Sequence, residues 1–129
     1  MQKGDSFELT YLVTKDVRDG FRQIFKDSNP LHTDESFARA KGFAGEVMYG
    51  NILSGFISHF VGEALPVKNV IIHSQQIKFF KPFYCGEELV LKADISEKVE
   101  SVHVFIFNFC FFNRQGTEIA RGKVQIGLI

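Results

Sequence analysis

The sequence predicts a single α+β domain over residues 1–129. Two observations lead to this class: a helix that is apolar on most faces, at residues 51–64, and a run of strand-like segments after it. One further strand is predicted before the helices, at residues 6–13. A chain of 129 residues can bury one core, and no linker or internal repeat divides it.

The first helix is predicted at residues 15–26, directly after the first strand. Thr14 can cap it, and its apolar positions form one helical stripe: Val17, Phe21, Ile24 and Phe25. Pro30 disfavours helical backbone in the residue before it, so this helix must stop by Asn29. The segment DSNPLH, residues 27–32, is therefore predicted to be a loop that follows a helix.

A second helix is predicted to start at Thr33 as its cap, with Asp34 and Glu35 in its first turn and Gly42 at its end. The third helix, at residues 51–64, is apolar on most faces, which is typical of a buried helix. Its small and polar residues form one stripe, which either lets a strand approach closely or lines a cavity. These residues are Asn51, Ser54, Gly55, Ser58 and Gly62.

Four later segments have the pattern of strands: residues 70–83, 88–99, 101–112 and 116–129. The sequence NRQG predicts a turn between the last two. The segment 101–112 is apolar on both alternating faces, whereas a sheet with one solvated face shows polar residues there. Two explanations are open: the second face is covered by helices and loops of the same chain, or by a partner subunit.

The composition excludes several classes of protein. Apolar residues make up 45% and charged residues 23% of the chain, which argues against disorder. Fifteen basic residues balance fifteen acidic ones, so we expect no nucleic-acid or membrane partner. The longest uncharged run, at 47–62, is too short and too polar to span a bilayer. Cys85 and Cys110 lack metal-ligand spacing, and we predict reduced thiols in a cytoplasmic protein.

The segment DSNPLHTDESFA contains the pattern Asp-x-Asn-Pro-Leu-His, followed after five residues by the small residue Ala38. This pattern resembles the hydratase signature of the MaoC-like hotdog family, which includes the (R)-specific enoyl-CoA hydratases. Three other segments are similar to that family: FAGEVMYGNILSGFIS, IKFFKPFYCGEEL and NRQGTEIARGKV. The resemblance runs from about residue 20 to the end of the chain. It implies a hotdog fold, in which an antiparallel sheet wraps around one long central helix.

The resemblance also implies an activity: a hydro-lyase that adds water to a trans-2-enoyl-CoA to give the (R)-3-hydroxyacyl-CoA, or the reverse dehydration. Asp27 and His32 match the catalytic pair that holds the water. Gly50 matches the glycine that opens the central helix, whose backbone N–H is expected to stabilise negative charge on the thioester oxygen. The residues expected on the substrate side are Asn29, Tyr49 and Ser58.

The chemistry suits a carboxylate paired with an imidazole. The unperturbed pKa values of Asp and His differ by about 2.6 units, so one can act as base while the other acts as acid. The sequence leaves open which residue does which. Pro30 fixes the backbone between the two, and Asn29 can hydrogen-bond to the turn.

Family members pair into dimers, often with their sheets joined edge to edge, so the resemblance implies a homodimer or a higher homo-oligomer. The acyl-CoA then lies near the subunit boundary. We expect no metal and no cofactor beyond the CoA carried on the substrate. Polyester supply, fatty-acid metabolism and polyketide tailoring all stay open as pathways.

Two departures from the family pattern bear on the site. The family usually has His-Gly where this chain has Tyr49-Gly50, and often Ser-Gly where it has Phe25-Lys26. A glycine before the Asp permits a positive φ, which Lys26 tolerates poorly. Three alternative functions therefore stay open: a hotdog thioesterase, an acyl-carrier-protein dehydratase and a non-catalytic acyl-CoA-binding or subunit-interaction module. In the non-catalytic case DSNPLH is only a helix stop and cap, with a surface histidine.

Overall fold

The structure, a computed structural model, describes all residues from 1 to 129. Five strands and four helices follow one another in the order β1 (Ser6–Leu12), α1 (Lys15–Phe25), α2 (Pro30–Thr33), α3 (Glu35–Ala40), α4 (Ile52–His59), β2 (Val70–Phe79), β3 (Glu88–Val99), β4 (Val104–Phe112) and β5 (Glu118–Leu128). Helix α4 continues into a wider π-helical turn, Phe60–Ala64, so the central helical segment spans nearly the predicted 51–64. No helix is both long enough and apolar enough to cross a membrane.

The five strands form one antiparallel sheet in the order β1-β3-β4-β5-β2, and α4 packs on one face of it. Alternate residues of β4 point to that face, and Phe107, Phe109 and Phe111 are fully buried there. Phe60 of the central helical segment meets Phe107 edge to face, with ring centroids 5.6 Å apart. Burying each such ring contributes about 1.5–3 kcal/mol. The sheet around a buried helix confirms the predicted α+β hotdog fold.

Local signals in the sequence mark several boundaries correctly. The Thr14 hydroxyl accepts a hydrogen bond from the Val17 amide at 3.0 Å and caps α1. The NRQG segment turns as predicted, with the Gly116 amide donating to the Asn113 carbonyl at 3.0 Å. Lys26 ends α1 in the left-handed conformation, with φ 60°. The chain therefore has the positive φ before Asp27, although a lysine and not a glycine stands there.

The segment around Pro30 differs from the prediction. Residues Pro30–Thr33 are not a loop but one short helical turn, α2, capped by the Asn29 side chain. Proline is well suited to the first position of a helix, because its fixed φ is already helical and its missing N–H needs no partner there. The cap of α3 is Asp34, not Thr33, since the Asp34 carboxylate accepts from the Phe37 amide at 3.1 Å.

Four of the five strands are shorter than predicted: β1 by one residue, β2 by four, and β4 and β5 by three each. Strand β2 ends at Phe79, shortly before Pro82, and β4 begins only at Val104 because Glu100–Val102 forms a 3-10 turn. The outward residues of β4 are half-buried, and the clefts on that face are lined by strand residues alone. Helices of the same chain therefore do not cover it. Long charged side chains cover part of it instead, as Lys92 does over the Phe112 ring at 5.6 Å.

Candidate active site

The loop before α2 is held by its own side chains. The Asp27 carboxylate accepts a hydrogen bond from the Asn29 amide at 3.1 Å, and the Asn29 side chain accepts from the Leu31 amide at 2.9 Å. The Thr33 hydroxyl donates back to the Ser28 carbonyl at 3.2 Å. These bonds explain why the sequence DSNPLH takes one shape here, and they leave the Asp27 side chain exposed.

The His32 ring is fixed by a backbone carbonyl. Its Nδ1 lies 2.7 Å from the Val47 oxygen. A carbonyl oxygen only accepts hydrogen bonds, so Nδ1 must carry the proton in this contact. The neutral ring therefore keeps its lone pair on Nε2, the nitrogen that a general base needs. The sequence motif names His32 but not this partner, because Val47 contributes only its backbone.

The N-terminus of α4 supplies free amide groups next to His32. No backbone carbonyl of the chain accepts from the N–H of Gly50 or of Asn51. Gly50 and His32 line one cleft of about 280 Å³, together with Phe79 and Lys81. A Cβ at Gly50 would lie 3.0 Å from Phe79 Cε1, so a glycine keeps this approach to the amide open.

A second, larger cleft of about 900 Å³ lies between α1 and α4. Asp27 lines it, and so do Asn51 and Ile52 at the start of α4. Most of the lining is apolar and comes from α1 and α4: Val17, Phe21, Ile24, Phe25, Ile52 and Phe56. Part of the polar stripe of the third helix also borders this cleft, which confirms the cavity interpretation for Asn51, Ser54 and Gly55.

Asp27 and His32 line different clefts that both reach the start of α4, because Gly50 lines one and its neighbour Asn51 lines the other. The side chains of Asp27 and His32 make no hydrogen bond to each other; each is held by its own backbone partner. A small molecule that touches both must therefore bridge the end of the helix. The two clefts thus offer a carboxylate in one, and an imidazole and a free amide in the other.

Tyr49 and Arg22 lie behind this site. The Tyr49 hydroxyl donates to the Asp27 carbonyl oxygen at 2.5 Å and accepts from Arg22 Nε at 3.0 Å. Arg22 Nη2 donates to the His32 carbonyl oxygen at 2.7 Å. Sequence reasoning missed Arg22, because no motif marks it and its only signal is its place beside the apolar stripe of α1.

Ser58 is separate from the other predicted residues. It lies about two turns along α4 from Gly50, is exposed, and lines neither of the two clefts. Ser54, one turn closer, borders the larger cleft and accepts a hydrogen bond from the Gln75 side chain at 2.8 Å. The other predicted residues are connected: Asn29 and Tyr49 by hydrogen bonds to Asp27, and Gly50 by the cleft that it shares with His32. Ser58 has no such connection.

The remaining histidines do not join the site. His59 on α4 lies 2.9 Å from the Tyr11 hydroxyl, on the β1 side of the helix. Burial raises the pKa of Tyr11 to about 12. Nowhere do three or more His, Cys, Asp or Glu side chains come together in a way that suits a metal ion.

An antiparallel sheet around a central helix defines a hotdog-fold protein, and here a loop with Asp27 and His32 lies beside free amides at the helix N-terminus. The MaoC like domain family matches residues 2–104. The chain belongs to this family, as its sequence predicts. The match covers the loop, the central helix and the first three strands.

The names of two curated relatives state related activities. The chain is 26% identical over 108 residues to an (R)-specific enoyl-CoA hydratase of Aeromonas caviae, covering 84% of this chain and 81% of that protein. It is 30% identical over 95 residues to a 3-hydroxybutyryl-CoA dehydratase of Methylorubrum extorquens, covering 70% of this chain but only 60% of that protein. The solved structure of the A. caviae (R)-hydratase involved in PHA biosynthesis covers all of this chain with a TM-score of 0.91 at 23% identity. That likeness supports the fold.

Proposed function

We propose that this chain is a hydro-lyase that adds water across a trans-2-enoyl thioester to form the (R)-3-hydroxyacyl thioester, or runs the reverse dehydration. CoA is the proposed carrier of the acyl group. The names of the relatives from A. caviae and M. extorquens support both the reaction class and the CoA ester. An Arabidopsis relative, 24% identical over 126 residues, is named as an acyl-carrier-protein dehydratase. Acyl carrier protein is therefore the second carrier to test.

One observation carries this proposal: His32, with Nδ1 committed to the Val47 carbonyl, shares a cleft with the free Gly50 amide. Hydration needs a base for water and a donor for the thioester oxygen, and both must face one substrate. That His32 and Gly50 line a single cleft supports these two roles. Asp27, on the neighbouring cleft, supplies the carboxylate.

In the proposed mechanism, Asp27 and His32 hold one water molecule. His32 Nε2 accepts a proton as the water oxygen forms its bond to C3, and the Asp27 carboxylate accepts a hydrogen bond from the other O–H of the water. Negative charge moves to the thioester oxygen, where the Gly50 amide and the positive end of the α4 dipole stabilise it. The proton on His32 then passes to C2, so that the enzyme returns to its starting protonation state.

The clefts suggest how the thioester lies. The larger cleft is mainly apolar, which suits an acyl chain, and it includes the exposed Ile24 and Phe25 at 72% and 66% of their possible surface. The smaller cleft includes Lys81, whose ammonium group suits a CoA phosphate. The thioester itself would then sit between them, at the N-terminus of α4.

We also infer a homodimer that joins two copies along β2. Strand β2 is an edge of the sheet, ten residues long, and an unpaired edge of that length is a template for another strand. Ile71 on this strand is 49% exposed, although it is a large apolar residue. Light scattering should give twice 14.7 kDa, and a mass of one chain would contradict this.

We place the protein in the cytoplasm because Cys85 and Cys110 are free thiols.

The test of the reaction is an absorbance assay with crotonyl-CoA, comparing the parent protein with Asp27→Asn and His32→Gln. Each substitution keeps a similar shape. Asp27→Asn removes the negative charge of the carboxylate that holds the water, and His32→Gln removes the ring nitrogen that accepts the proton. We expect turnover to fall by about 10²–10⁴-fold, the usual contribution of general acid–base catalysis. Chiral analysis of the product should show the (R) isomer.

Asp34→Asn is a matched control, because asparagine caps a helix about as well as aspartate and Asp34 lies outside both clefts. It should leave turnover unchanged. A thiol reagent separates hydration, which releases no CoA, from thioester hydrolysis, which does. Parent-like turnover in both Asp27→Asn and His32→Gln would overturn the assignment, and release of thiol would replace it with a thioesterase.

A further inference from the structure

Arg22 and Tyr49 contact the backbone of both residues of the proposed catalytic pair. Tyr49 donates to the carbonyl of Asp27 at 2.5 Å, and Arg22 donates to the carbonyl of His32 at 2.7 Å. The two side chains are joined to each other by the 3.0 Å bond from Arg22 Nε to the Tyr49 hydroxyl. One connected pair therefore holds both ends of the turn that runs from Asp27 to His32.

The Tyr49 ring is as constrained as its hydroxyl. It is only 2% exposed, and it stacks on Phe21 with ring centroids 4.5 Å apart. The Tyr49 ring also packs against the His32 imidazole, with ring centroids 4.4 Å apart and an angle of 32° between the planes. A ring so enclosed offers no surface to a substrate, but it supports the imidazole directly.

The position of Tyr49 in the chain gives these bonds a consequence. Tyr49 immediately precedes Gly50, whose amide is the proposed donor to the thioester oxygen. A bond from residue 49 to Asp27 therefore sets the spacing between the Asp27–His32 turn and that amide. At its His32 end the turn is also joined to Val47, through the Leu31 carbonyl at 3.1 Å and through His32 Nδ1 at 2.7 Å. The Tyr49 bond is the one that joins the Asp27 end to the residue next to Gly50.

Arg22 is itself oriented from a third direction. The Glu46 carboxylate lies 3.9 Å from Arg22 Nη2 and 3.8 Å from Arg18 Nη1. The planar guanidinium can donate to the Tyr49 hydroxyl and the His32 carbonyl at once, which a lysine ammonium on a flexible stem does with less fixed geometry. Helix α1, the catalytic turn and the start of α4 are thus joined through one side chain.

We propose that Arg22 and Tyr49 are positioning residues, which set the spacing between the Asp27–His32 pair and the Gly50 amide. Tyr49 acts through the turn rather than on the substrate. The inference rests on the proposed hydratase function. Displacement of catalytic groups by about 1 Å can cost 10²-fold in rate, so loss of this spacing should reduce kcat.

The experiment removes one hydroxyl and keeps the ring. Tyr49→Phe leaves the stacking on Phe21 and His32 but takes away the bonds to Asp27 and Arg22. We expect kcat for crotonyl-CoA to fall about 10–100-fold, with KM changed by less than about twofold. Arg22→Lys should act similarly, and the double variant should cost no more than the worse single one, because the two residues act as a unit.

Tyr84→Phe is the matched control. Its hydroxyl also serves a nearby loop, accepting from the Ala44 amide at 3.3 Å, but it does not touch the catalytic turn. We expect it to keep the parent kcat. Imidazole ¹⁵N spectra give a second measurement that needs no activity: Tyr49→Phe should shift the His32 signals and leave those of His59 unchanged.

The outcomes separate this inference from the proposed function. If the parent protein turns over crotonyl-CoA and Tyr49→Phe matches Tyr84→Phe in kcat, the positioning role is wrong and the hydratase stands. If the parent shows no turnover on any enoyl-CoA or enoyl-acyl-carrier-protein, the function fails and the spectra decide. Unchanged His32 signals in Tyr49→Phe would then overturn the positioning role, and shifted ones would support it.

Discussion

The Gly50→Ala substitution tests the amide at the start of α4. The added Cβ would lie 3.0 Å from Phe79 Cε1 and 3.3 Å from Cδ1, closer than side chains usually pack. Phe79 is 49% exposed, so its ring can move away, and Gly50 does not have the positive φ that would strain an alanine. We therefore expect the substitution to lower the free energy of unfolding by less than about 1 kcal/mol, as is usual for surface substitutions.

The effect on activity should be much larger. The methyl group would lie beside the N–H that donates a hydrogen bond to the thioester oxygen. It would keep that oxygen from reaching hydrogen-bond distance. Loss of one such donor typically costs about 2.7–4 kcal/mol of transition-state stabilisation, which is about 10²–10³-fold in kcat. The crotonyl-CoA assay measures the rate, and urea unfolding measures the stability of the same samples.

A second variant separates the two effects of the methyl group. Phe79→Leu combined with Gly50→Ala removes the contact with the Phe79 ring, so stability should return while activity stays low. Phe79→Leu alone is the reference. Parent-like kcat in Gly50→Ala would refute the role of this amide. Recovery of kcat in the double variant would show that the loss came from moving Phe79 and not from the amide.

Two further predictions concern stability. Gly122→Ala places a Cβ onto the Gln76 carbonyl oxygen of the paired strand and should lower the free energy of unfolding by about 3 kcal/mol or more. Gly127→Ala meets only the movable His73 ring at 2.5 Å and should lower it by under about 1 kcal/mol. Equal urea midpoints of the two variants would contradict this. Burial raises the pKa of the Glu87 carboxyl, so folding favours its protonated form and the stability it contributes falls as the pH rises past about 4.3. Glu87→Gln should therefore stabilise the protein at pH 7, by less than about 1 kcal/mol because the group is partly exposed, and the gain should vanish near pH 4. A gain of equal size at both pH values would show that ionisation is not its cause.

The elements that the sequence predicts correctly are those with local causes. Thr14 caps α1 through a bond to a residue three positions away, and the NRQG turn closes on itself. The strands follow from alternation over a few residues, and β3 spans the predicted 88–99. Such signals are readable because the groups that interact are neighbours in the chain.

The local errors have a specific reason. The rule for the residue before a proline predicted a stop at Asn29, but the same proline also suits the first turn of a new helix, and this second effect decided residues 30–33. Thr33 and Asp34 are both good capping residues, and the choice between them depended on where α2 ended. The sequence holds both signals but not their relative weight.

For the site, the sequence by itself determined the candidate residues Asp27, His32 and Gly50, because their motif lies within short stretches of chain. Only the tertiary structure decided how they are held: the Arg22–Tyr49 bond joins residues 27 positions apart, and His32 bonds to a carbonyl 15 positions away. A hydrogen bond forms only within about 3 Å, and its geometry cannot be specified before the chain has packed. Tertiary packing therefore determines which residues of α1, the turn and α4 bond to one another. The residue types determine the chemistry that these residues can perform.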